Sequence, residues 1–390
     1  MDEPKNAGVT QPLLLTGGAV YTRPGEPPLR DAAVLIDGGE IVSVGPPAHS
    51  NAHVLDCTGC SIFAGFWNCH VHFFERKWAN AAEIPAEELA AQLQEFARFG
   101  FTSVFDLSSD LRNTKALRER IASGEVPGPT IRTAGEGLVP PEAMPADAVL
   151  RVLGMMPAPM PVVQTPDEAR DACGKLVAAG VDAVKLFASS NSGASLLSEE
   201  VMRAVCETAH AAGKPVCVHP NTEDDVMRAL RAGVDIIAHT TPRASAWKEE
   251  LFGLARERNA ALIPTLRVWH ELLRHDRRSL QDQMTANALG QLRAWQQAGL
   301  TLLFGTDAGA VDENPAEEYA LTAQAGVPFH AILASLTTGP AKRFARGEAL
   351  GEIAPGFRAD ITVVNGDPTE DLVRLADVRY TVAGGAVLYR

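Results

Sequence analysis

Apolar and polar positions divide the chain into two kinds of segment. Near both ends, short apolar or alternating runs are broken by glycine pairs, which is typical of β-strands joined by tight turns. In the run AAVLIDGGEIVSVG, Gly38 and Gly39 can supply the positive φ of a two-residue turn, so this run predicts a β-hairpin. Neither end alone is long enough to bury a useful core. The pattern therefore favours one small β domain built from both ends of the chain.

The middle of the chain repeats one unit, a helical stretch followed by glycine or asparagine and then a short apolar run. Together with two further runs, the first of which is residues 61–73, the repeats predict eight strands between Ser61 and Gly309. Continuously apolar runs are typical of parallel strands covered on both faces. Helices are predicted, among other places, at residues 85–99, 166–179, 198–212 and 224–232.

Strand and helix alternating eight times predict an α/β protein with a (β/α)8 TIM barrel. A doubly wound open sheet is the alternative. Such a sheet usually has fewer strands, and no G-x-G-x-x-G follows the first predicted strand.

One segment, residues 137–163, interrupts this alternation. It follows the third predicted strand, is rich in proline and methionine, and is too long for an ordinary connection. In a barrel, a loop at this place would lie over the mouth. The segment is predicted to be either an apolar lid over a substrate or a surface feature without a binding role.

Composition restricts the classes of function. The 390 residues are 46% hydrophobic and 21% charged, which is typical of a globular protein long enough to divide into domains. A formal net charge of −13 without a basic run argues against nucleic acid and anionic membranes as partners. The six cysteines lie mostly in apolar surroundings, which fits reduced thiols. With no signal-peptide pattern and no apolar run near the roughly 20 residues of a membrane helix, we expect a cytoplasmic protein.

Unusual polar side chains fall at the ends of the predicted strands. The first strand holds His70 and His72, which point to the same face because side chains alternate along a strand. The fourth, fifth, sixth and eighth strands hold Lys185, His219, His239 and Asp307. The carboxyl ends of barrel strands surround one mouth, where active sites are found. We therefore expect these side chains to meet.

Each of these residues alone has an ordinary structural explanation, such as a satisfied core histidine or an aspartate in a turn. As a cluster, four imidazoles would leave several buried donors and acceptors to satisfy separately. A divalent cation satisfies them together, because neutral imidazole and carboxylate are its natural ligands. The cluster therefore predicts a metal site.

The loop after the seventh strand, in the run PTLRVWHE, also opens onto the predicted mouth. We predict Arg267, Trp269 and His270 as substrate contacts. The remaining histidines lie in the N-terminal β region, in helices or among arginines, and are assigned structural roles.

These motifs resemble the amidohydrolase superfamily, specifically its imidazolonepropionase-like and Xaa-Pro-dipeptidase-like branch. By that resemblance, residues 1–60 and 350–390 are the two parts of a small β-sandwich domain, and residues 61–349 are a metal-dependent hydrolase barrel. The family's H-x-H is matched by His70 and His72, and its G-T-D-A-G by Gly305 to Gly309. Its metal-bound aspartate, bridging lysine and two further histidine ligands are matched by Asp307, Lys185, His219 and His239.

The resemblance implies two divalent metal ions, with zinc expected first and manganese, iron or cobalt as alternatives. It also implies that carbon dioxide carboxylates Lys185, so that the lysine bridges both ions. A hydroxide between the ions would attack the carbonyl of an amide-like C–N bond. Asp307 would take the proton and pass it to the leaving amine, and His239 is the second predicted catalytic residue.

Two positions depart from the family pattern, and other functions stay open. Asn68 stands where the family commonly has aspartate, and the run HPNTEDD lacks the small or aromatic residues that often follow the strand-five histidine. A mononuclear deaminase is one alternative, but that branch usually has glutamate where this chain has Thr222. A non-catalytic scaffold is another. The expected partner is a small-molecule substrate (a dipeptide, an N-acyl amino acid, a cyclic amide, or an aryl amide or urea), and a homo-oligomer is possible.

Overall fold

The computed structural model describes residues 11–46, 51–141, 160–190, 193–273 and 276–390, and it has a mixed α/β fold. Its strands are β1 (Leu13–Thr16), β2 (Ala19–Val20), β3 (Ala33–Asp37), β4 (Glu40–Gly45), β5 (His53–Asp56), β6 (Cys60–Ala64), β7 (Phe66–Val71), β8 (Phe101–Asp106), β9 (Thr130–Thr133), β10 (Val184–Phe187), β11 (Val216–His219), β12 (Ile236–Ala238), β13 (Ala261–Ile263), β14 (Thr301–Leu302), β15 (Ile361–Asn365), β16 (Val378–Ala383) and β17 (Ala386–Tyr389). Its α-helices are α1 (Ala86–Ala97), α2 (Leu111–Ala122), α3 (Pro166–Ala178), α4 (Glu199–Ala211), α5 (Glu223–Ala232), α6 (Glu249–Glu257), α7 (Arg267–Leu272), α8 (Arg278–Gln297), α9 (Ala316–Gln324), α10 (Phe329–Leu336) and α11 (Thr338–Phe344). Short 3-10 helices lie at Arg76–Trp78 and Leu372–Ala376.

Strands from the two ends of the chain share a sheet and a core. One sheet has the order β4-β3-β1-β5, and another has the order β17-β16-β15-β6-β2. In the second sheet β6 pairs antiparallel with β15, with Ile62 opposite Val363. The predicted hairpin is confirmed, since β3 and β4 pair antiparallel around Gly38 and Gly39, which have φ of +58° and +85°. One cluster of buried apolar side chains contains residues from both ends of the chain.

All eight predicted parallel strands are present, as β7 to β14. They form a sheet of order β7-β8-β9 and a sheet of order β10-β11-β12-β13-β14, in which each strand pairs parallel with the next. The predicted first strand is in fact two strands, β6 and β7, and only the second of them joins the parallel set. The break falls at Gly65, where a Cβ atom would lie 2.1 Å from Oγ1 of Thr102.

Backbone hydrogen bonds connect the two parallel sheets at both of their outer edges. At one edge, the amide of Asp182 donates to the carbonyl of Thr133 at 2.7 Å, just before β10 begins. At the other edge, Cys69 donates to Phe304 at 2.8 Å and Asp307 donates to His70 at 2.9 Å. The backbone of Asp307 is thereby held directly beside the H-x-H motif.

The four helices predicted by number are confirmed as α1, α3, α4 and α5, to within one or two residues at each end. Reciprocal side-chain and backbone hydrogen bonds begin α3 at Thr165 and α5 at Thr222. Within the described part of the chain, no helix is both long and apolar enough to span a membrane. Most of the predicted loop at 137–163 lies outside the described residues, since 142–159 are not among them.

Candidate metal centre

The carboxyl ends of the parallel strands bring three histidines and one aspartate together. Oδ1 of Asp307 lies 2.9 Å from Nε2 of His72 and 3.3 Å from Nε2 of His70. The ring centroid of His239 lies 4.7 Å from that of His70. His70, His239 and Asp307 are buried, and one potential ligand atom from each lies within 4.8 Å of the other two. This spacing is compatible with ligands around one metal ion.

His219 and Lys185 border this group on neighbouring strands. The ring centroid of His219 lies 4.4 Å from that of His239. Lys185 is fully buried, and its charge acts on His70 and His219 and is acted on by Asp307. The structure therefore collects all six residues predicted as metal ligands at one end of the strands.

The contact between His72 and Asp307 requires a positive charge. Nδ1 of His72 lies 3.0 Å from the carbonyl oxygen of Ser108, which can only accept a hydrogen bond. Nδ1 must therefore carry the proton, and in a neutral ring Nε2 has a lone pair. That lone pair faces Oδ1 of Asp307 at 2.9 Å, an arrangement that repels unless the ring is protonated or a cation binds both atoms.

Several potential ligand atoms also have no partner. Among the residues that the structure describes, Nδ1 and Nε2 of His70 and Oδ1 of Asp307 are buried without a hydrogen bond. Leaving a buried polar atom unsatisfied costs about 1–3 kcal/mol. A divalent cation bound to imidazole nitrogen and carboxylate oxygen would remove this cost, so the donor set fits a metal ion.

Burial keeps most of these donors in the form that binds metal. Desolvation lowers the pKa of His70 and of His239 well below its usual value, and it lowers the pKa of His219 to about 4. For Asp307, burial alone would raise the pKa, but His70 and His72 hold it well below its usual range. The cluster thus offers neutral nitrogens and an ionised carboxylate, as metal binding requires.

Backbone strain is concentrated around the cluster. His239 has a φ of +82°, Asp307 +61°, Ser108 +132° and Thr265 +43°. Oγ1 of Thr265 lies 2.6 Å from Nδ1 of His239, and Ser108 orients His72. Such conformations are unfavourable for residues other than glycine and persist where the surrounding structure enforces them, often at functional sites. Each strained residue here is a potential ligand or the hydrogen-bond partner of one.

Gly305 allows the last parallel strand to approach the first. A Cβ atom at Gly305 would lie 2.5 Å from Cγ2 of Ile263 and 2.8 Å from Cβ of His70. At Gly309, which has a φ of +105°, it would lie 2.8 Å from the carbonyl oxygen of His72. The glycines on either side of Asp307 are therefore needed to bring its carboxylate to the two histidines.

We expect the free energy of unfolding of the Gly305→Ala variant to be lower by about 1–3 kcal/mol, because the added methyl group forces His70 and Ile263 apart. It should also bind less metal, since His70 is displaced. Denaturant unfolding and metal analysis measure the two effects. Gly253→Ala is the matched control, because Gly253 lies inside α6, where an added methyl group would meet no other atom within 4 Å and should increase stability. Unchanged metal content in Gly305→Ala would contradict the proposed role of this glycine.

Glu318 fixes the loop that carries Thr265. This carboxylate, fully buried in α9, accepts hydrogen bonds from the backbone amides of Leu266 at 2.9 Å and Arg267 at 2.8 Å. Thr265 precedes these amides and contacts His239. Glu318 is therefore a positioning residue that acts on His239 through the loop.

Glu318 also predicts a pH dependence of stability. Desolvation raises its pKa from 4.5 to about 7 in the folded protein, against the opposing effect of the two backbone amides. Between these pH values the Glu318 side chain is ionised in the unfolded protein but stays protonated in the folded protein. The free energy of unfolding therefore falls as pH rises. The contribution of Glu318 to the free energy of unfolding is fully present below pH 4.5 and lost above pH 7, a difference of about 3 kcal/mol.

Glutamine mimics the protonated form and does not titrate. In chemical unfolding, Glu318→Gln should match the unmodified protein at pH 4.5 and become relatively more stable by about 3 kcal/mol at pH 8. Glu250→Gln, which replaces an exposed carboxyl in α6, should show no such change between the two pH values. A constant difference between the Glu318→Gln variant and the unmodified protein would show that burial does not raise this pKa.

The three predicted substrate contacts have different surroundings. Arg267 forms two hydrogen bonds with the carboxylate of Asp312, at 2.7 and 2.6 Å, and lies 3.2 Å from Glu317. His270 lies between Glu317 and Thr285, both at 2.6 Å. Trp269 instead has its ring centroid 6.3 Å from that of His239. The structure brings Trp269 to the cluster, whereas Arg267 and His270 belong to a neighbouring network of charges.

Aromatic rings form walls beside the cluster. Phe74 stacks on His72 with ring centroids 4.6 Å apart, and the ring of Phe187 lies 5.3 Å from that of His219. With Trp269, whose indole nitrogen donates to Thr240 at 3.0 Å, they surround the cluster with apolar surface.

Sequence reasoning did not identify the residues that orient the potential ligands. These are Asn68, Ser108, Thr265 and Glu318. Asn68 stands out in the sequence only as a departure from the family pattern. Its side-chain oxygen accepts from the amides of His70 at 3.2 Å and Thr306 at 3.1 Å, which joins the first and last parallel strands. No periodicity or motif marks the other three, because their partners are distant in sequence.

Known proteins of similar sequence or fold include two peptidases and one mycobacterial protein. A prolidase solved in complex with N-methylphosphonate-L-proline is 26% identical, with a TM-score of 0.79 over 97% of this chain and 100% of that one. A Xaa-Pro dipeptidase solved with bound methionine has a TM-score of 0.81 over 96% of this chain and 99% of its own, and at 23% identity it is similar in fold. An uncharacterized protein of Mycobacterium tuberculosis is 30% identical over 150 residues, which are 36% of this chain and 40% of that protein.

The pattern that defines the amidohydrolase family matches residues 61–388. The match includes every strand and loop that contributes a side chain to the histidine and aspartate cluster. The chain belongs to the amidohydrolase family.

Proposed function

We propose that this protein is a metal-dependent hydrolase that cleaves an amide-like C–N bond in a small molecule. The observation that carries the proposal is the buried group of His70, His239 and Asp307, with His72 beside it, in which both ring nitrogens of His70 and Oδ1 of Asp307 have no hydrogen-bond partner among the described residues. Family membership and likeness to a prolidase support it. We further propose that β7 to β14 close into a TIM barrel within residues 61–349, with residues 1–60 and 350–390 forming the small β domain.

The residues that would hold the metal are the six collected by the strand ends, with Lys185 as the bridging ligand between two divalent cations. Burial lowers the pKa of Lys185 to about 8, against smaller opposing effects of Cys217 and Asp307. An amine in this position can add to carbon dioxide and lose a proton, which would turn a buried cation into an anionic oxygen ligand. When bound, the metal would polarise the substrate carbonyl and lower the pKa of the attacking water.

The protein's own groups account for orientation and proton transfer. Ser108 fixes the tautomer of His72, and Thr265 fixes the orientation of His239. The carboxylate of Asp307, ionised and next to both histidines of the H-x-H motif, would accept a proton from the nucleophile at one oxygen and donate it to the leaving amine. Phe74 would keep bulk water from the histidine face on which it stacks.

Among the candidate substrates, we favour a dipeptide or an N-acyl amino acid with an apolar side chain. Likeness to the prolidase supports the amide bond, and the rings of Phe74, Phe187 and Trp269 support an apolar group next to it. The mononuclear deaminase is less well supported. Thr222, at the position where that branch usually has glutamate, is occupied in capping α5.

The test combines metal analysis with a substrate screen. The purified protein is expected to contain about two divalent ions per chain and to hydrolyse members of a library of dipeptides, N-acyl amino acids, lactams and anilides. A chelator should abolish hydrolysis, and added zinc or manganese should restore it. One ion per chain with release of ammonia from the substrate would instead indicate a deaminase. No bound metal and no turnover would indicate a scaffold and overturn the proposal.

A further inference from the structure

A cavity of about 430 Å³ lies at the end of the parallel strands opposite to the candidate metal centre. Asp182, Lys214 and Asp235 line it just before β10, β11 and β12 begin, whereas His219 is the last residue of β11 and His239 directly follows β12. Arg343 and Arg346, at the end of α11 and just beyond it, complete the wall. The cavity is therefore separate from the candidate metal centre.

The acidic residues of this cavity already have partners. Asp182 pairs with Arg118 at 3.0 Å and accepts from the amide of Thr133 at 3.0 Å. Asp235 lies 2.7 Å from Nε2 of His210 and accepts from the amide of Val216 at 2.8 Å. The third acid in the wall, Glu348, accepts from Arg132 at 2.6 Å. Each of these carboxylates therefore already has a hydrogen-bond or ion-pair partner within the protein.

Three cations in the same wall have no carboxylate partner at ion-pair distance in the described part of the chain. Lys214, Arg343 and Arg346 form no ion pair with any residue of the described ranges. Arg343 donates a hydrogen bond to the carbonyl oxygen of Asn259 at 2.6 Å, which leaves most of its donors available. Burial lowers the pKa of Arg343, and the like charge of Arg346 lowers that pKa further. The negative charge of Asp235 acts in the opposite direction. An anion between these side chains would relieve the repulsion.

Arg132 also lines the cavity, and an aromatic ring packs against it. Its Nε atom is buried and has no hydrogen-bond partner in the described structure, and its guanidinium lies 5.7 Å from the centroid of the Trp67 ring. Phe344, which also lines the cavity, stacks on Trp67 at 6.2 Å and contacts Phe105 at 4.5 Å. Packed aromatic rings thus hold a guanidinium and an apolar surface side by side.

We propose that this cavity binds a small phosphorylated molecule. Guanidinium groups match phosphate oxygens in charge and in two-pronged geometry. The volume of about 430 Å³ is in the range of small-molecule sites and leaves room for an organic group against Phe344. The overall net charge of −13 disfavours nucleic acid as the ligand.

Isothermal titration of the metal-replete protein with pyrophosphate and with adenosine monophosphate, at constant ionic strength, tests this proposal. At least one of them should bind saturably at one site per chain. The Lys214→Glu and Arg346→Glu variants should each weaken that binding about tenfold, since each reverses a charge near the anion. Citrate serves as the carboxylate probe and should bind more weakly than the phosphorylated ligands.

Arg112→Glu is the matched control, because Arg112 is 93% exposed in the first turn of α2, where glutamate is well tolerated. It should bind the phosphorylated ligands normally. Binding that survives both cavity variants would belong to the metal centre and would overturn the proposal. So would the absence of saturable binding of both phosphorylated ligands, or tighter binding of citrate. Without added anion, the cavity variants are expected to hydrolyse substrate at the rate of the unmodified protein. This separate measurement distinguishes a failure of the phosphate-binding proposal from a failure of the hydrolase proposal.

Discussion

The Lys185→Ala variant is expected to lose at least about a thousandfold in kcat/KM and to contain less metal than the unmodified protein. A thousandfold corresponds to about 4 kcal/mol, the scale on which bound metal ions stabilise charge in a transition state. Lys185 is 1% exposed and lies among side chains whose charges interact with its own. Alanine at this position cannot carry a carbamate, so any bridge between two cations would be lost. Metal analysis and initial rates on the best substrate from the screen measure the two effects.

Lys175→Ala is the control for this experiment. Lys175 is 75% exposed in α3, where it pairs with Asp171 one turn earlier. Its replacement should leave activity and metal content within about twofold, since exposed ion pairs of this kind contribute little. The Lys185→Ala variant should fold, because alanine removes a buried amine without introducing a polar group, and circular dichroism can verify this. Full activity or unchanged metal content in that variant would rule out the bridging role.

The strands and the strand-end residues could be predicted from the sequence because burial determines both. A parallel strand covered on both faces must be apolar, so a polar residue within it or at its end is conspicuous, as Lys185 is in the run AVKLFA. The order of strands along the chain then implies which ends are neighbours. His239 and Asp307, 68 positions apart in sequence, could be assigned to one site on this basis, and the structure brings them together.

The residues that orient the cluster could not be predicted, because their effect depends on backbone conformation and on contacts between distant segments. Ser108 acts through its carbonyl oxygen, which every residue type possesses. Glu318 reads as an ordinary helical glutamate, and only its burial against the amides of Leu266 and Arg267 reveals its role. Arg267 looks available for a substrate carboxylate in the sequence, but Asp312, 45 residues later, occupies its guanidinium.

The Asp307→Asn variant tests the proton-transfer role with little disturbance of the backbone. Asp307 has a φ of +61°, a conformation that asparagine adopts more readily than most other residues. The amide has the shape of the carboxylate but no negative charge and no useful basicity. We expect kcat to fall at least about a thousandfold, since loss of a general base alone costs about 10²–10⁴. Asp110→Asn is the matched control, because Asp110 caps α2 and asparagine caps helices equally well.

Titration with metal separates the two roles that Asp307 could have. If its carboxylate were only a ligand, excess zinc or manganese would refill the site of the Asp307→Asn variant and restore most of the activity. If it also accepts and donates the proton, as its position beside His70 and His72 supports, kcat should stay low at saturating metal. Recovery to within about tenfold of the unmodified protein would therefore remove Asp307 from the proton path while leaving it a ligand. Persistent loss at full metal occupancy would assign the proton transfer to this carboxylate.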